Sequence, residues 1–286
     1  MRVGVVGVGA MGFGMAKHVK NKGFELATHA RSPDKLERAK EAGLNPTSKL
    51  EEIAKRADLF IVVVNTDDQS REVTEALSQH ANEGAMIAIA ATNSPFTMQE
   101  LAKLCAGRGK RFIDAPFVYG GSGVEKGTLL HLCGGDEADV AWARPAMMSY
   151  CRDVLHVGPV GAGQLAKACN NLLHWVHCVS NFETILLAKR FGVDGQRMRE
   201  VLLKCPAYNG TLDRWDTTKF TWQEKDMDVT MDLAQFAGLM LPMAGLTDQL
   251  VKVLKAKDVK ALLYGEDCDY MGVHVTPMTR EEGGLG

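Results

Sequence analysis

The chain has 286 residues, 46% hydrophobic and 24% charged, and its 33 basic and 35 acidic side chains give a formal net charge of −2. That length supports more than one apolar core, while the near-balanced charge excludes the basic field that nucleic-acid binding requires. Small-molecule partners are expected, with no nucleic acid and no membrane, since no stretch reaches the roughly 20 apolar residues of a spanning helix. Seven cysteines (Cys105, Cys133, Cys151, Cys169, Cys178, Cys205 and Cys268) never form a C-x-x-C pair, which argues against a disulfide framework, a zinc knuckle or another metal site. The first residues run straight into an apolar stretch with no signal-peptide pattern, so the expected compartment is the cytoplasm.

Short apolar runs alternate with helical periodicity through the first half. Strands are predicted over residues 3–8, 24–28, 59–64, 85–90, 111–115, 129–133 and 154–157, and helices over 11–22, 33–42, 69–80 and 96–107. This alternation predicts an α/β Rossmann domain with a doubly wound, mostly parallel sheet, whose strands read as continuous apolar runs because both faces are covered. Past Gly158-Pro159-Val160-Gly161 the strand signals fade. A long helical pattern runs from Gln164 to about Phe191, breaks at Gly192 and again at Pro206, and helical texture returns over 225–236 and 242–257. The expected organisation is a dinucleotide-binding Rossmann domain, 1–161, and an all-α C-terminal domain for substrate and oligomer contacts, 162–286, joined by a long interdomain helix. The tail 276–286, with Arg280-Glu281-Glu282 and three glycines, has no core pattern and is expected to be mobile or to dock late.

Gly7-Val8-Gly9-Ala10-Met11-Gly12 falls between the first predicted strand and the first predicted helix, the setting a dinucleotide loop requires. Gly7 permits the tight turn, Gly9 lets the backbone approach a pyrophosphate and Gly12 allows close helix packing, with Ala10 and Met11 at the helix N-terminus. A purely structural glycine turn is the competing reading. An NAD site commonly offers an acid to the ribose about 20 residues later. Here Ala30 stands near that place and Arg31 and Ser32 follow, a guanidinium and a hydroxyl suited to a 2′-phosphate, which favours NADP(H) over NAD. A solvated loop arginine is the alternative. Asn65, Thr66 and Asp67 follow the third predicted strand, and Thr92, Asn93 and Ser94 the fourth. Ligands of such sheets bind beyond these strand ends, so Asn65, Thr66 and Thr92 are candidates for the nicotinamide ribose, while Asp67 and Ser94 also suit helix capping.

Lys167 stands in the stretch Gly161-Ala162-Gly163-Gln164-Leu165-Ala166-Lys167-Ala168-Cys169-Asn170-Asn171. Lys167, Asn171, His174 and Cys178 follow at spacings of four, three and four, so one stripe of the long helix mixes an amine, an amide and an imidazole with apolar neighbours. A solvated face seldom has that composition. A lysine partly withdrawn from water in a cleft can have its pKa lowered and exchange a proton with a substrate oxygen.

At these residues the chain resembles the β-hydroxyacid dehydrogenase family, which includes 3-hydroxyisobutyrate dehydrogenases and glyoxylate/succinic semialdehyde reductases. The resemblance covers nearly the whole chain. It rests on the glycine loop, on Asp114-Ala115-Pro116 running on to Gly120 and Gly127-Thr128-Leu129, on the block from Gly161 to Asn171, and on Lys225-Asp226. It implies that Lys167 is the general acid/base, that Asn171 orients substrate and lysine, and that Lys225 closes over cofactor and substrate. It further implies an NAD(P)-dependent alcohol or hydroxyacid dehydrogenase moving a hydride between nicotinamide and a 3-hydroxy acid or semialdehyde, in a homodimer or homotetramer.

The family usually follows Asp-Ala-Pro with Val-Ser-Gly-Gly, whereas this chain reads Phe117-Val118-Tyr119-Gly120. Val118 removes a hydroxyl used for the substrate carboxylate, a loss of about 1 to 3 kcal/mol where such a bond is buried. Tyr119 brings in a ring and offers a phenolic donor instead. The expected substrate therefore differs from 3-hydroxyisobutyrate and is larger or aromatic. Phe117, Val118, Tyr119, Gly120, Asn171, His174 and Trp215 are the candidate contacts, although Phe117, Trp175, Tyr208 and Trp215 suit a core equally well, and His174 reads better as a packed histidine than as a second acid. Two alternatives stay open. One is a non-catalytic, oligomeric cofactor-binding module of the same fold, in whose relatives the lysine is replaced. The other is a reductase of non-carboxylate aldehydes, ketones or imines, although imine reductases usually lack the lysine.

Overall fold

The computed structural model describes residues 1–285 and divides into two compact units, Met1–Lys167 and Ala168–Gly286. The first unit contains, in order, β1 (Arg2–Val6), α1 (Ala10–Asn21), β2 (Glu25–His29), α2 (Pro33–Glu41), β3 (Pro46–Thr47), α3 (Leu50–Ala54), β4 (Leu59–Val62) and α4 (Asp67–His80). There follow β5 (Met86–Ile89), α5 (Pro95–Gly107), β6 (Arg111–Asp114), β7 (Phe117–Val118), α6 (Gly120–Lys126), β8 (Leu129–Gly134), α7 (Glu137–Met147) and β9 (Cys151–Gly158). Successive residues of β4 and β5 enter opposite cores: Leu59, Ile61, Met86 and Ala88 face one layer of helices, and Phe60, Val62, Ile87 and Ile89 the other. Burial on both faces is why these strands are apolar throughout.

Six strands pair in parallel in the order β3-β2-β1-β4-β5-β6, the doubly wound order that opens a crevice at the carboxyl ends of β1 and β4. Beyond β6 the direction reverses. β8 lies antiparallel to β6 and β7, and β9 runs parallel to β8.

The division between the units falls within α8 (Ala162–Arg190). After it come α9 (Gly195–Leu202), α10 (Gly210–Asp213), a 3-10 turn (Trp215–Thr217), α11 (Gln223–Phe236), α12 (Pro242–Val251) and α13 (Ala256–Tyr264). Trp175, Cys178, Phe182, Ile185, Trp215, Met227 and Leu262 are among the residues of the second core. The unit is not purely helical: β10 (Cys268–Tyr270) and β11 (Val273–Val275) form a hairpin. Met271 and Gly272 join them, both at positive φ (52° and 78°), as a two-residue turn matched to strand twist requires. The tail is docked rather than loose. The N–H groups of Met278 and Leu285 donate to the carbonyls of Arg190 and Phe191, each at 2.8 Å. No described helix is long and apolar enough to cross a membrane.

Candidate active site

The glycine loop joins β1 to α1. Gly7 has a φ of +96° and lies against the Val63 carbonyl just past β4, and Gly12 lies against the Gly7 carbonyl, so a side chain at either would collide with backbone. Gly9 is the N-cap of α1, makes no side-chain cap bond and faces open space. Exposed Ala10 and half-buried Met11 start the helix. An uncapped helix N-terminus reached past an open glycine suits a pyrophosphate, so these residues fit a dinucleotide. Arg31 follows β2 and is more than half exposed, paired only loosely with Glu72 at 3.5 Å; Ser32 is the N-cap of α2, without a side-chain bond there.

The other strand ends are knitted together. Thr66, not Asp67, caps α4, its hydroxyl accepting from the Gln69 N–H at 3.2 Å, and exposed Asn65 donates its backbone N–H to Gln69 Oε1 at 3.0 Å. Ser94 caps α5 as expected, and Thr92 is half-buried beside it. Asp67 is drawn elsewhere: its carboxylate accepts from the Asn93 amide, from the Ser94 N–H at 3.2 Å and from the Thr97 hydroxyl at 2.7 Å. Asn93 in turn donates its N–H to Gln164 Oε1 at 3.0 Å, and Gln164 Nε2 donates to the Ala91 carbonyl at 2.8 Å.

Asp114, at the end of β6, completes the chain. Its two oxygens accept from the N–H groups of Gly161 and Gln164, at 2.7 and 2.8 Å, and so satisfy the first donors of α8. Burial lifts its carboxyl above the ordinary value, against the pull of those donors. Gly163 has no room for a side chain between Asp114 and the Leu132 carbonyl. Half-buried Lys167 follows one turn after Gln164, on a helix start fixed to the ends of β5 and β6. Asp114 and Gln164 lie outside the site residues expected from sequence, because their partners are 47 to 73 residues away and no local pattern marks them.

The segment carrying the family departures is also defined. Phe117 and Val118 are half-buried, and the Phe117 ring meets the buried His131 edge-on at 5.9 Å. Gly120 is exposed with φ +49°. The Tyr119 phenol, expected as a donor toward substrate, accepts from Arg152 Nη2 at 2.6 Å. Nothing in the sequence around Arg152 marks it for this contact.

In the helical unit, Asn171 is buried and its side-chain oxygen accepts from Asn170 Nδ2 at 3.1 Å. Half-buried His174 has its Nδ1 3.0 Å from the Thr211 hydroxyl and its Nε2 3.9 Å from the Cys178 sulfur. Trp215 corrects the substrate-contact expectation: its side chain is completely buried in the second core, edge-on to Phe182. Trp175 is likewise buried, and its indole N–H donates to Asp226 at 3.1 Å. That bond ties α11 to α8 and fixes the helix that carries half-buried Lys225.

Comparison with known proteins agrees with this fold. Residues 2–158 match the family described as the NAD binding domain of 6-phosphogluconate dehydrogenase, and residues 161–263 the one described as NAD-binding of NADP-dependent 3-hydroxyisobutyrate dehydrogenase. A probable mitochondrial 3-hydroxyisobutyrate dehydrogenase of Dictyostelium discoideum is 28% identical over 275 residues, 89% of this chain and 86% of that one. The mitochondrial 3-hydroxyisobutyrate dehydrogenase of Rattus norvegicus is 32% identical over 203 residues, 70% of this chain and 61% of that one. In fold, the 3-hydroxyisobutyrate dehydrogenase of Mycobacterium tuberculosis, solved with L-serine, superposes with a TM-score of 0.82 at 22% identity, covering 88% of this chain and 93% of that one.

Proposed function

Because the chain belongs to the β-hydroxyacid dehydrogenase family, we propose that it is an NADP(H)-dependent dehydrogenase or reductase of a 3-hydroxy acid, a semialdehyde or a related carbonyl compound, with Lys167 as general acid/base. The observation that carries this reading is the mounting of Lys167, half-buried on a helix whose first N–H groups are held by buried Asp114 and whose Gln164 grips the end of β5.

The nicotinamide cofactor, when bound, supplies the hydride for reduction or accepts it in oxidation. Gly7, Gly9, Ala10, Met11 and Gly12 hold its pyrophosphate, Asn65, Thr66 and Thr92 its nicotinamide ribose, and Arg31 and Ser32 the 2′-phosphate that selects NADP(H); Lys225 closes over it. Lys167 Nζ gives a proton to the substrate oxygen during reduction and takes it back during oxidation. Asn171, one turn along the same helix, holds that oxygen in place. Phe117, Val118, Tyr119 and Gly120 form the wall that meets the rest of the substrate. The missing hydroxyl at 118 and the ring at 119 favour a compound other than 3-hydroxyisobutyrate, larger or aromatic. We also assign the active form as a homodimer or homotetramer.

Lys167→Met tests the assignment. It is expected to lower kcat by about 10³-fold, within the range that general acid/base groups contribute, and to leave NADPH affinity by fluorescence titration within about twofold, since it removes a proton donor and no cofactor contact. A variant of unchanged kcat would sink the mechanism. NADPH consumption over a panel of carboxylate, aromatic and neutral aldehydes identifies the substrate class, and no consumption with any of them would favour the non-catalytic module.

A further inference from the structure

Three described residues other than glycine have positive φ: Asn45, Tyr119 and Met271. Asn45 is of the type that tolerates the left-handed region, and Met271 occupies a hairpin turn that requires it. Tyr119, at +80°, has no such local reason, and a bulky side chain in this region persists only where its surroundings hold it.

The Tyr119 side chain packs against the first core, and exposed Arg152 braces it as well. The guanidinium donates to the phenolic oxygen at 2.6 Å and covers the ring at 4.3 Å from its centroid, so one side chain fixes both the ring's tip and its face. The aim of Arg152 has its own structural origin. Leu129 pairs with Cys151 and Leu130 with Asp153, which leaves Arg152 as the extra residue of a bulge in β9. A bulge re-aims the side chain it carries. On the other side of β8, Leu130 pairs with Val118, the residue before Tyr119. Arg152 therefore reaches past the end of β8 to the segment that departs from the family pattern.

We propose that Arg152 is a positioning residue for substrate recognition: it holds Tyr119 in its left-handed conformation and thereby fixes the wall from Phe117 to Gly120. This rests on the proposed function, which assigns that wall to the substrate. Arg152 acts through the backbone at 119 and does not touch the substrate itself.

The test compares Arg152→Ala in two backgrounds, Tyr119 and Tyr119→Gly, because glycine adopts a φ of +80° with no side chain to hold. With Tyr119 present, Arg152→Ala is expected to raise KM for the best carbonyl substrate about tenfold with kcat within about threefold, and to accelerate amide hydrogen exchange over residues 117–121. In the Tyr119→Gly background the same substitution is expected to change neither. NADPH affinity, unchanged throughout, reports that the variants fold. An equal rise in KM in both backgrounds would mean that Arg152 meets the substrate directly, and overturns the proposal. So does faster exchange with an unmoved KM, and so does no change in either. If the wild-type protein turns over no carbonyl compound, the proposed function fails instead, and exchange alone still decides whether Arg152 holds residues 117–121.

Discussion

Arg31 follows Ala30, which stands near the place of the acid of an NAD site, and its pairing with Glu72 is loose. That pairing spans 3.5 Å between two side chains that are each more than half exposed, a geometry worth at most about 1 kcal/mol. A guanidinium on a phosphate is worth more, about 1.5 to 3 kcal/mol. Arg31→Ala should therefore raise KM for NADPH by about tenfold or more while moving KM for NADH less than about twofold, measured by steady-state kinetics with each cofactor. An unchanged KM for NADPH removes the 2′-phosphate assignment. The residues of this site were readable from sequence to the extent that their chemistry is local. The glycine loop and the lysine stripe are consecutive or one helical turn apart, and spacing shows them. Asp114, Asn93 and Gln164 act through bonds between residues 47 to 73 apart in sequence, and Arg152 reaches Tyr119 across 33. No local pattern marks such partners, and a positive φ at a tyrosine leaves no trace in composition.

The elements repeat that lesson at a larger scale. Long strands and helices announced themselves through apolar runs and 3.6-residue periodicity, whereas β3 and β7 have two residues each and are defined only by the neighbours they pair with. The helical pattern over 242–257 concealed the break between α12 and α13, since both keep an apolar face. Strand β8 carries a buried group that titrates in the acid range. His131 is fully buried in it, with Nδ1 2.6 Å from the Ala115 carbonyl and Nε2 without a hydrogen-bond partner among the described residues. Burial pulls its pKa from 6.5 to about 4. Between those values the unfolded chain binds a proton that the folded one refuses, so stability is whole above about pH 6.5 and falls as the pH drops toward 4. The expected loss is about 3 kcal/mol by linkage. Urea unfolding from pH 7 to 4.5 should show the wild type losing more stability than His131→Gln, which keeps a donor and does not titrate. Asp114, whose pKa burial raises, works in the opposite sense in both proteins and cancels in the comparison. Parallel pH profiles would show that His131 is not the group responsible.

For the whole molecule, the feature in want of explanation is apolar surface. Around the turn from α11 to α12, Phe236, Leu239, Met240, Met243 and Leu246 are exposed, Met240 by 90%, and on α8 so are Leu173 and Leu187. Exposed apolar residues this close in sequence suit a subunit contact better than water. The proposed homodimer or homotetramer predicts a native mass of two or four times 31.1 kDa by light scattering. Met240→Lys combined with Met243→Glu should lower that mass while shifting the folding free energy of the protomer by no more than about 0.5 kcal/mol per site, as solvent-facing substitutions do. A wild-type mass of 31.1 kDa would refute the assembly, and an oligomer indifferent to both substitutions would move the interface elsewhere.

The buried lattice of Asp67, Asn93, Gln164 and Asp114 has a consequence for substitution nearby. None of its hydrogen bonds involves residues 117–120, which have their own support from β9. Among the bonds described, the mount of the helix that carries Lys167 and the brace on Tyr119 draw on different elements, the ends of β5 and β6 in one case and β9 in the other. Substitutions at 118 and 119 therefore leave the bonds from Asp114 and Gln164 to the start of α8 in place. On the proposed function, a change in what is recognised then need not disturb the mount of Lys167.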